Sequence, residues 1–137
     1  MKPLGTLGTR WLKFNAVGLA GVGVQLAALA LFAKVFHWHY LAATAAAVEV
    51  AVLHNFAWHV RWTWADRPAG AVATAARLLR FNLANGGVSL LAGAALMPLL
   101  VHTVGLHFLL ANLLTVCACA VINYLAGDRW VFAPAPR

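Results

Sequence analysis

Between Arg80 and Asp128 run 47 consecutive residues, 81 to 127, that carry no formal charge. A membrane-spanning helix takes about 20 mostly apolar residues. The stretch is too long for one span and fits two joined by a tight turn. Pro98, His102, Thr103 and Gly105 mark that turn, giving spans over about 81–101 and 107–127. Two more precede them: 14–33, whose only strongly polar members are Asn15 and Gln25, and 40–60, interrupted by Glu49, His54, Asn55 and His59. Residues 64–77 form the one substantial loop, with Asp66, Arg67, Pro68 and Gly70 as its breakers. The last five residues, 133–137, read as a short disordered tail.

Composition agrees. Of 137 residues 64% are hydrophobic and 9% charged, with mean hydropathy +0.82, where a soluble domain is about one quarter charged. That excludes a water-soluble enzyme, and the apolarity excludes disorder. Cys117 and Cys119 are too few for a disulfide scaffold; at i, i+2 in an apolar run they read as packing residues. The net charge of +7 suits either nucleic acid or a membrane surface, and the apolarity selects the membrane and excludes nucleic acid.

Lys/Arg concentrate on cytoplasmic segments. Lys2, Arg10 and Lys13 precede the first span; Arg61, Arg67, Arg77 and Arg80 separate the second from the third; Arg129 and Arg137 follow the fourth. Lys34 alone lies at the other end. Both termini are therefore expected in the cytoplasm, in a multi-pass protein of the cytoplasmic (inner) membrane. The first apolar run exceeds the roughly 7–15 residues of a signal-peptide core, so it reads as an uncleaved helix.

The chain is also a duplication. Arg10-Trp-Leu-Lys-Phe-Asn15 matches Arg77-Leu-Leu-Arg-Phe-Asn82 at an offset of 67, which becomes 68 after a one-residue gap. Gly18 then matches Gly86, His39-Tyr-Leu-Ala-Ala43 matches His107-Phe-Leu-Leu-Ala111, and Asn55-Phe56 matches Asn123-Tyr124. Arg61-Trp-Thr-Trp-Ala65 matches Arg129-Trp-Val-Phe-Ala133. The units cover about 10–65 and 77–133, and each holds two spans, so the copies share one orientation, as in the parallel repeats of some transporters. The expected fold is all-α integral membrane: four transmembrane helices as two parallel-repeat hairpins in a compact bundle.

Lys13-Phe-Asn-Ala-Val-Gly18, Ala111-Asn112, Asn123-Tyr124 and Arg129-Trp-Val-Phe132 together resemble the GtrA-like family over about residues 10–133. The first half departs from its pattern, with Ala43-Thr44 where members usually have Ala-Asn. The resemblance implies a single domain engaged in translocating a polyprenyl-phosphate-linked sugar for cell-surface polysaccharide synthesis, or in partnering the glycosyltransferase that makes that lipid-linked sugar.

On physical grounds, Asn112, Thr115, Cys119 and Asn123 fall within about 80° of a helical wheel. Their counterparts in the second span are Thr44, Ala47, Ala51 and Asn55. Asn82, Asn85 and Ser89 in the third span, and Gly18, Gly21 and Gln25 in the first, are spaced alike at i, i+3, i+7, and Asn15 is a further candidate amide at the head of the first span. Two readings stay open. Small residues and amides can join helices in the bilayer, or the amides can line a path for a sugar head group, since they donate and accept without charge. The Gly86-Gly87 pair is expected at a close helix contact.

Glu49 is the single acid at membrane depth, about 120° around the wheel from Asn55. A carboxyl there is costly and by default functional; proton coupling and a structural bond to Gln25 or Asn85 are the alternatives. Arg61-Trp62 and Arg129-Trp130, with Arg10, Lys13, Arg77 and Arg80, form a basic rim. It reads as a positive-inside anchor with an aromatic belt, or as a cradle in which arginine forks bind the carrier's phosphate.

Six histidines lack the i, i+4 pairing and acidic or thiol company of a metal site. They read as interfacial, and no metal or cofactor is expected. No nucleophile–base pair or phosphate loop appears, so the chain is not expected to be an enzyme by itself. Competing functions are a small proton-coupled exporter using Glu49 and a non-transporting scaffold for a glycosyltransferase. A homo-oligomer is left open.

Overall fold

The computed structural model describes residues 4–134. Lys2 and Arg137 of the expected rim, and residues 135–137 of the expected tail, lie outside the described residues. The chain divides at Ala69–Gly70 into two compact units, each a helical hairpin. The first unit pairs α1 (Leu4–Ala30) with α2 (Tyr40–Trp58), and the second pairs α3 (Ala71–Pro98) with α4 (Phe108–Ala126). Among the described residues there is no strand. Four stretches, Thr6–Val35, Tyr40–Thr63, Ala71–Thr103 and Phe108–Val131, are long and apolar enough to cross a membrane. The all-α, four-span architecture is as the charge-free runs require.

Helix boundaries differ from the apolar runs. α1 begins about ten residues before Phe14 and α3 ten before Phe81, so the loop contracts from 64–77 to 64–70. Charge counting marks where the apolar run ends, but the helix continues beyond it: Arg and Lys are good helix formers. At 1.5 Å per residue the 27 residues of α1 extend about 40 Å, longer than the roughly 30 Å core. Arg10 and Lys13 thereby ride on an ordered helical extension. Pro98, read from sequence as a turn marker, is instead the last residue of α3.

Every helix runs on into a five-residue π-helical turn: Leu31–Val35, His59–Thr63, Leu99–Thr103 and Gly127–Val131. Each is closed by a backbone bond from the residue after it: Phe36 to Leu31, Trp64 to His59, Val104 to Leu99 and Phe132 to Gly127, at 2.8–3.1 Å. The duplication is thus visible in the backbone. It extends to the outer turns, where His37 (φ 55°) and its register partner Gly105 (φ 76°) both take the left-handed conformation. Glycine enters that region freely and a residue with a Cβ does not. His37→Gly is therefore expected to stabilise the first hairpin by about 1 kcal/mol, read as a higher unfolding midpoint in detergent. Gly105→Ala should lower it.

His39 and His107, one register apart, cap the following helices, each ring Nδ1 accepting from the backbone N–H two residues on, at 3.4 and 3.3 Å. Within the first hairpin α2 buries Ala43, Ala47, Ala51 and Phe56, while α1 buries Val17 and Gly21. In the second hairpin α4 buries Ala111, Thr115 and Tyr124, and α3 buries Phe81 and Ala92. Small residues at four-residue spacing let backbones approach where lipid supplies no hydrophobic drive. Among the described glycines Gly21 is the one in tight contact: an added Cβ would fall inside the Asn55 carboxamide. Gly86 and Gly87, expected at such a contact, would meet nothing within 4 Å.

Candidate functional site

The basic end of each hairpin is built from the extension of its first helix and the π turn of its second. In Arg61-Trp62-Thr63-Trp64 the last two side chains turn inward and the first two outward. Trp64 is 1% exposed and Trp62 42%; in the second unit Phe132 is 0% exposed and Trp130 48%. The repeated motif thus has one aromatic for the protein and one for its surroundings. The inward ring meets the phenylalanine of the opening motif: Phe14 to Trp64 at 6.1 Å edge-on, and Phe81 to Phe132 at 6.2 Å.

His59 completes the first of these clusters. Its ring stacks on Phe14 at 5.0 Å, meets Trp64 edge-on at 5.1 Å, and bonds Thr63 Oγ1 through Nδ1 at 2.9 Å. It is a core residue, which corrects its reading as interfacial. Its i, i+4 distance from Thr63 was the signal that pointed there. Among the described residues no three His, Cys, Asp or Glu gather into a metal-ligating group.

The cations part company. Arg10 is buried, and its Nη2 donates to both carboxylate oxygens of half-exposed Asp66, at 2.8 and 3.0 Å. Lys13 lies with its ammonium 5.4 Å from the centroid of Trp62 and 3.5 Å from the Trp62 carbonyl. In the second unit Arg77 faces the Phe132 ring at 5.8 Å and the Ala133 carbonyl at 3.5 Å. Arg61 is exposed and turned toward the Ala57 carbonyl of its own helix at 3.5 Å; Arg129 is exposed.

The amides are similarly divided. Asn15 donates to the Trp11 carbonyl at 2.8 Å, one turn back on its own helix. Asn55 packs on Gly21 and its Oδ1 pairs with His54 Nδ1 at 3.1 Å. Asn82 and Asn85 are half-buried on α3, and the Asn85 carbonyl accepts from Ser89 at 2.8 Å. On α4, Thr115 is buried and Cys119 and Asn123 half-buried, whereas Asn112 is exposed. Ala111 takes the inward place beside it. The Asn123 Oδ1 is buried with no donor among the described residues. Glu49 is exposed while Asn55 is not, as their separation on the wheel requires.

Two grooves open beside Trp62. One, of about 550 Å³, is lined by Thr6, Thr9, Arg10 and Lys13 of the α1 extension and by Trp62, Thr63, Ala65 and Asp66 after α2. The other, of about 300 Å³, is apolar and lies between Ala16, Val17 and Ala20 on α1 and Trp58 and Trp62. Sequence reasoning took Asp66 as a loop breaker and passed over Thr6, Thr9 and Trp58. One signal was available: Asp66 directly follows the Arg-Trp-Thr-Trp-Ala motif.

Comparison with known proteins places these features in a family. Residues 13–132 match the family model described as GtrA/DPMS, transmembrane domain. The chain is similar to a dolichol-phosphate mannosyltransferase of Pyrococcus furiosus, 32% identical over 127 residues. The match covers 90% of this chain and 34% of that protein, so the chain spans about a third of its relative's length. Running through both hairpins from Lys13 to Phe132, the match shows that the chain belongs to the GtrA/DPMS transmembrane-domain family.

Proposed function

We propose that this membrane domain takes part in moving a polyprenyl-phosphate-linked sugar across the cytoplasmic membrane for cell-surface polysaccharide synthesis. The observation that carries the reading is the twofold construction of the basic end: both hairpins hold one motif aromatic inside and present an Arg-Trp pair outward. A belt needs interfacial tryptophans but no fixed inward partner. A surface that meets an anionic, hydrocarbon-anchored substrate has use for cation and aromatic at one depth. Family membership and the lipid-phosphate substrate in the relative's name support it.

Both termini and the basic rim face the cytoplasm in this reading, and exposed Arg61 and Arg129 draw the carrier in electrostatically. The half-buried Asn55, Asn82, Asn85 and Asn123, with Asn15 and Asn112, are the groups that meet sugar hydroxyls. Sugar transfer itself falls to a glycosyltransferase partner, in keeping with a match confined to a third of a mannosyltransferase.

The test is reconstitution of the chain in vesicles containing a fluorescent polyprenyl-phosphate hexose, with leaflet exchange followed by an impermeant quencher. The chain is expected to accelerate exchange tenfold or more, and Arg61→Gln with Arg129→Gln to slow it several-fold. Exchange equal to that of empty vesicles overturns translocation. If Glu49→Gln leaves the rate unchanged, Glu49 has a structural role; a loss of proton dependence marks it as the coupling group.

A further inference from the structure

The two repeats share a backbone but not a surface. In the first hairpin the polar and apolar grooves meet at Trp62, which lines both. The polar one lies along the α1 extension at Thr6–Lys13, and the apolar one begins a turn deeper at Ala16, Val17 and Ala20. Polar at the membrane end and apolar one to two turns further in is the form of an amphiphile lying along α1.

At an offset of 67, Thr6 and Thr9 correspond to Ala73 and Ala76 in the second hairpin; at 68, Thr63 and Asp66 correspond to Val131 and Pro134. The three hydroxyls and the carboxylate of the groove are thus all replaced by apolar residues. The apolar groove changes too, with Ala126 where Trp58 stands and Asn85 where Val17 stands. The cations persist, as Arg77 and Arg80, and so does the tryptophan shared by the two grooves, as Trp130.

We propose that the first hairpin alone seats a single-chain phosphorylated lipid. Lys13 holds the phosphate, Trp58 and Trp62 flank the first segment of the hydrocarbon chain, and Asp66 competes with the phosphate for Arg10. The proposal rests on the reading that the chain handles a phosphorylated polyprenyl. Lys13 is the group to hold an anion because its contacts among the described residues are the Trp62 ring and carbonyl. These leave ammonium donors for phosphate oxygens. Arg10, by contrast, already has a carboxylate. A phosphate beside Lys13 repels the Asp66 carboxylate and offers Arg10 a second anionic acceptor. The outward Arg61 and Arg129 steer the lipid without forming its seat.

The competition sets the sign of the test. The full chain is placed in nanodiscs of zwitterionic lipid, and polyprenyl monophosphate binding is followed by tryptophan fluorescence, with dodecyl phosphate and inorganic phosphate as further probes. Lys13→Gln is expected to weaken polyprenyl monophosphate binding about tenfold, since charge-assisted bonds to phosphate are the strong ones. Its register partner's change, Arg80→Gln, should cost less than about twofold. Asp66→Asn should tighten binding, whereas the loss of a merely structural ion pair would loosen it. Inorganic phosphate should bind far more weakly than either lipid, because it leaves the apolar groove empty.

Equal losses for Lys13→Gln and Arg80→Gln, or weaker binding by Asp66→Asn with the fold intact by circular dichroism, overturn the one-sided seat and leave the carrier reading standing. Binding of dodecyl phosphate through Lys13 with none of polyprenyl monophosphate keeps the seat and overturns the carrier reading. Inorganic phosphate binding as tightly as the lipids overturns the role of the apolar groove.

Discussion

Trp64→Ala is expected to destabilise the first hairpin by about 3 kcal/mol, the cost of removing a large aromatic from a packed site. Trp64 is the largest fully buried side chain of the structure, held edge-on by Phe14 and by His59. Its removal also strips His59 of one neighbour and leaves that ring beside a cavity at the end of α2. Trp62→Ala, two residues away, should cost less than about 1 kcal/mol, since Trp62 is 42% exposed and the Lys13 ammonium lies 5.4 Å from its ring centroid at an exposed site. Unfolding midpoints of the two variants in one detergent check the contrast. Equal midpoints would mean that the inward and outward tryptophans are not distinguished.

The second large effect is at Gly21. Leucine there must occupy the space of the Asn55 carboxamide. Either α1 and α2 separate along the Ala43–Ala47–Ala51 seam, or Asn55 leaves its place, at a cost of about 3 kcal/mol, the upper part of the range for overpacking. Gly21→Ala should show a smaller loss, because a carboxamide at the end of a side chain can rotate away. Gly86→Ala should instead gain up to about 1 kcal/mol of helix propensity, with nothing within 4 Å of its added methyl. Opposite shifts from one chemical change at two glycines are the readout. Rescue of Gly21→Ala by Asn55→Ala would identify the carboxamide as the obstacle; without rescue, the backbone of α2 is the obstacle.

The four spans, their pairing into two hairpins and the duplication were all legible, because hydrophobic run length and repeat register are one-dimensional properties. The family followed from the same motifs. Helix ends were not legible. Arg10, Lys13, Arg77 and Arg80 end the apolar runs but not the helices, since hydropathy reflects a residue's preferred solvent, whereas hydrogen bonding decides where a helix stops. The π turns were equally hidden, since the i to i+5 bond has no residue signature in Leu31–Val35, His59–Thr63, Leu99–Thr103 or Gly127–Val131.

Among site residues, the wheel separated Glu49 from Asn55 correctly, yet grouped exposed Asn112 with buried Thr115. The buried line of α4 runs through Ala111 and Thr115, at one edge of the 80° sector, so Asn112, about 60° from Thr115, lies outside the contact. The Gly86-Gly87 pair looked like an approach site on composition, whereas Gly21 makes the approach, because Asn55 of α2 stands opposite it.

Charge spacing and repeat register were therefore enough to give four helices long and apolar enough to cross a membrane, arranged as one hairpin repeated. Which cation is paired, which tryptophan is inside and where the grooves open were decided in three dimensions. Arg10 and Asp66 are 56 residues apart, and Lys13 and Trp62 are 49 apart. No local pattern encodes such distances; folding α2 back along α1 brings these groups together.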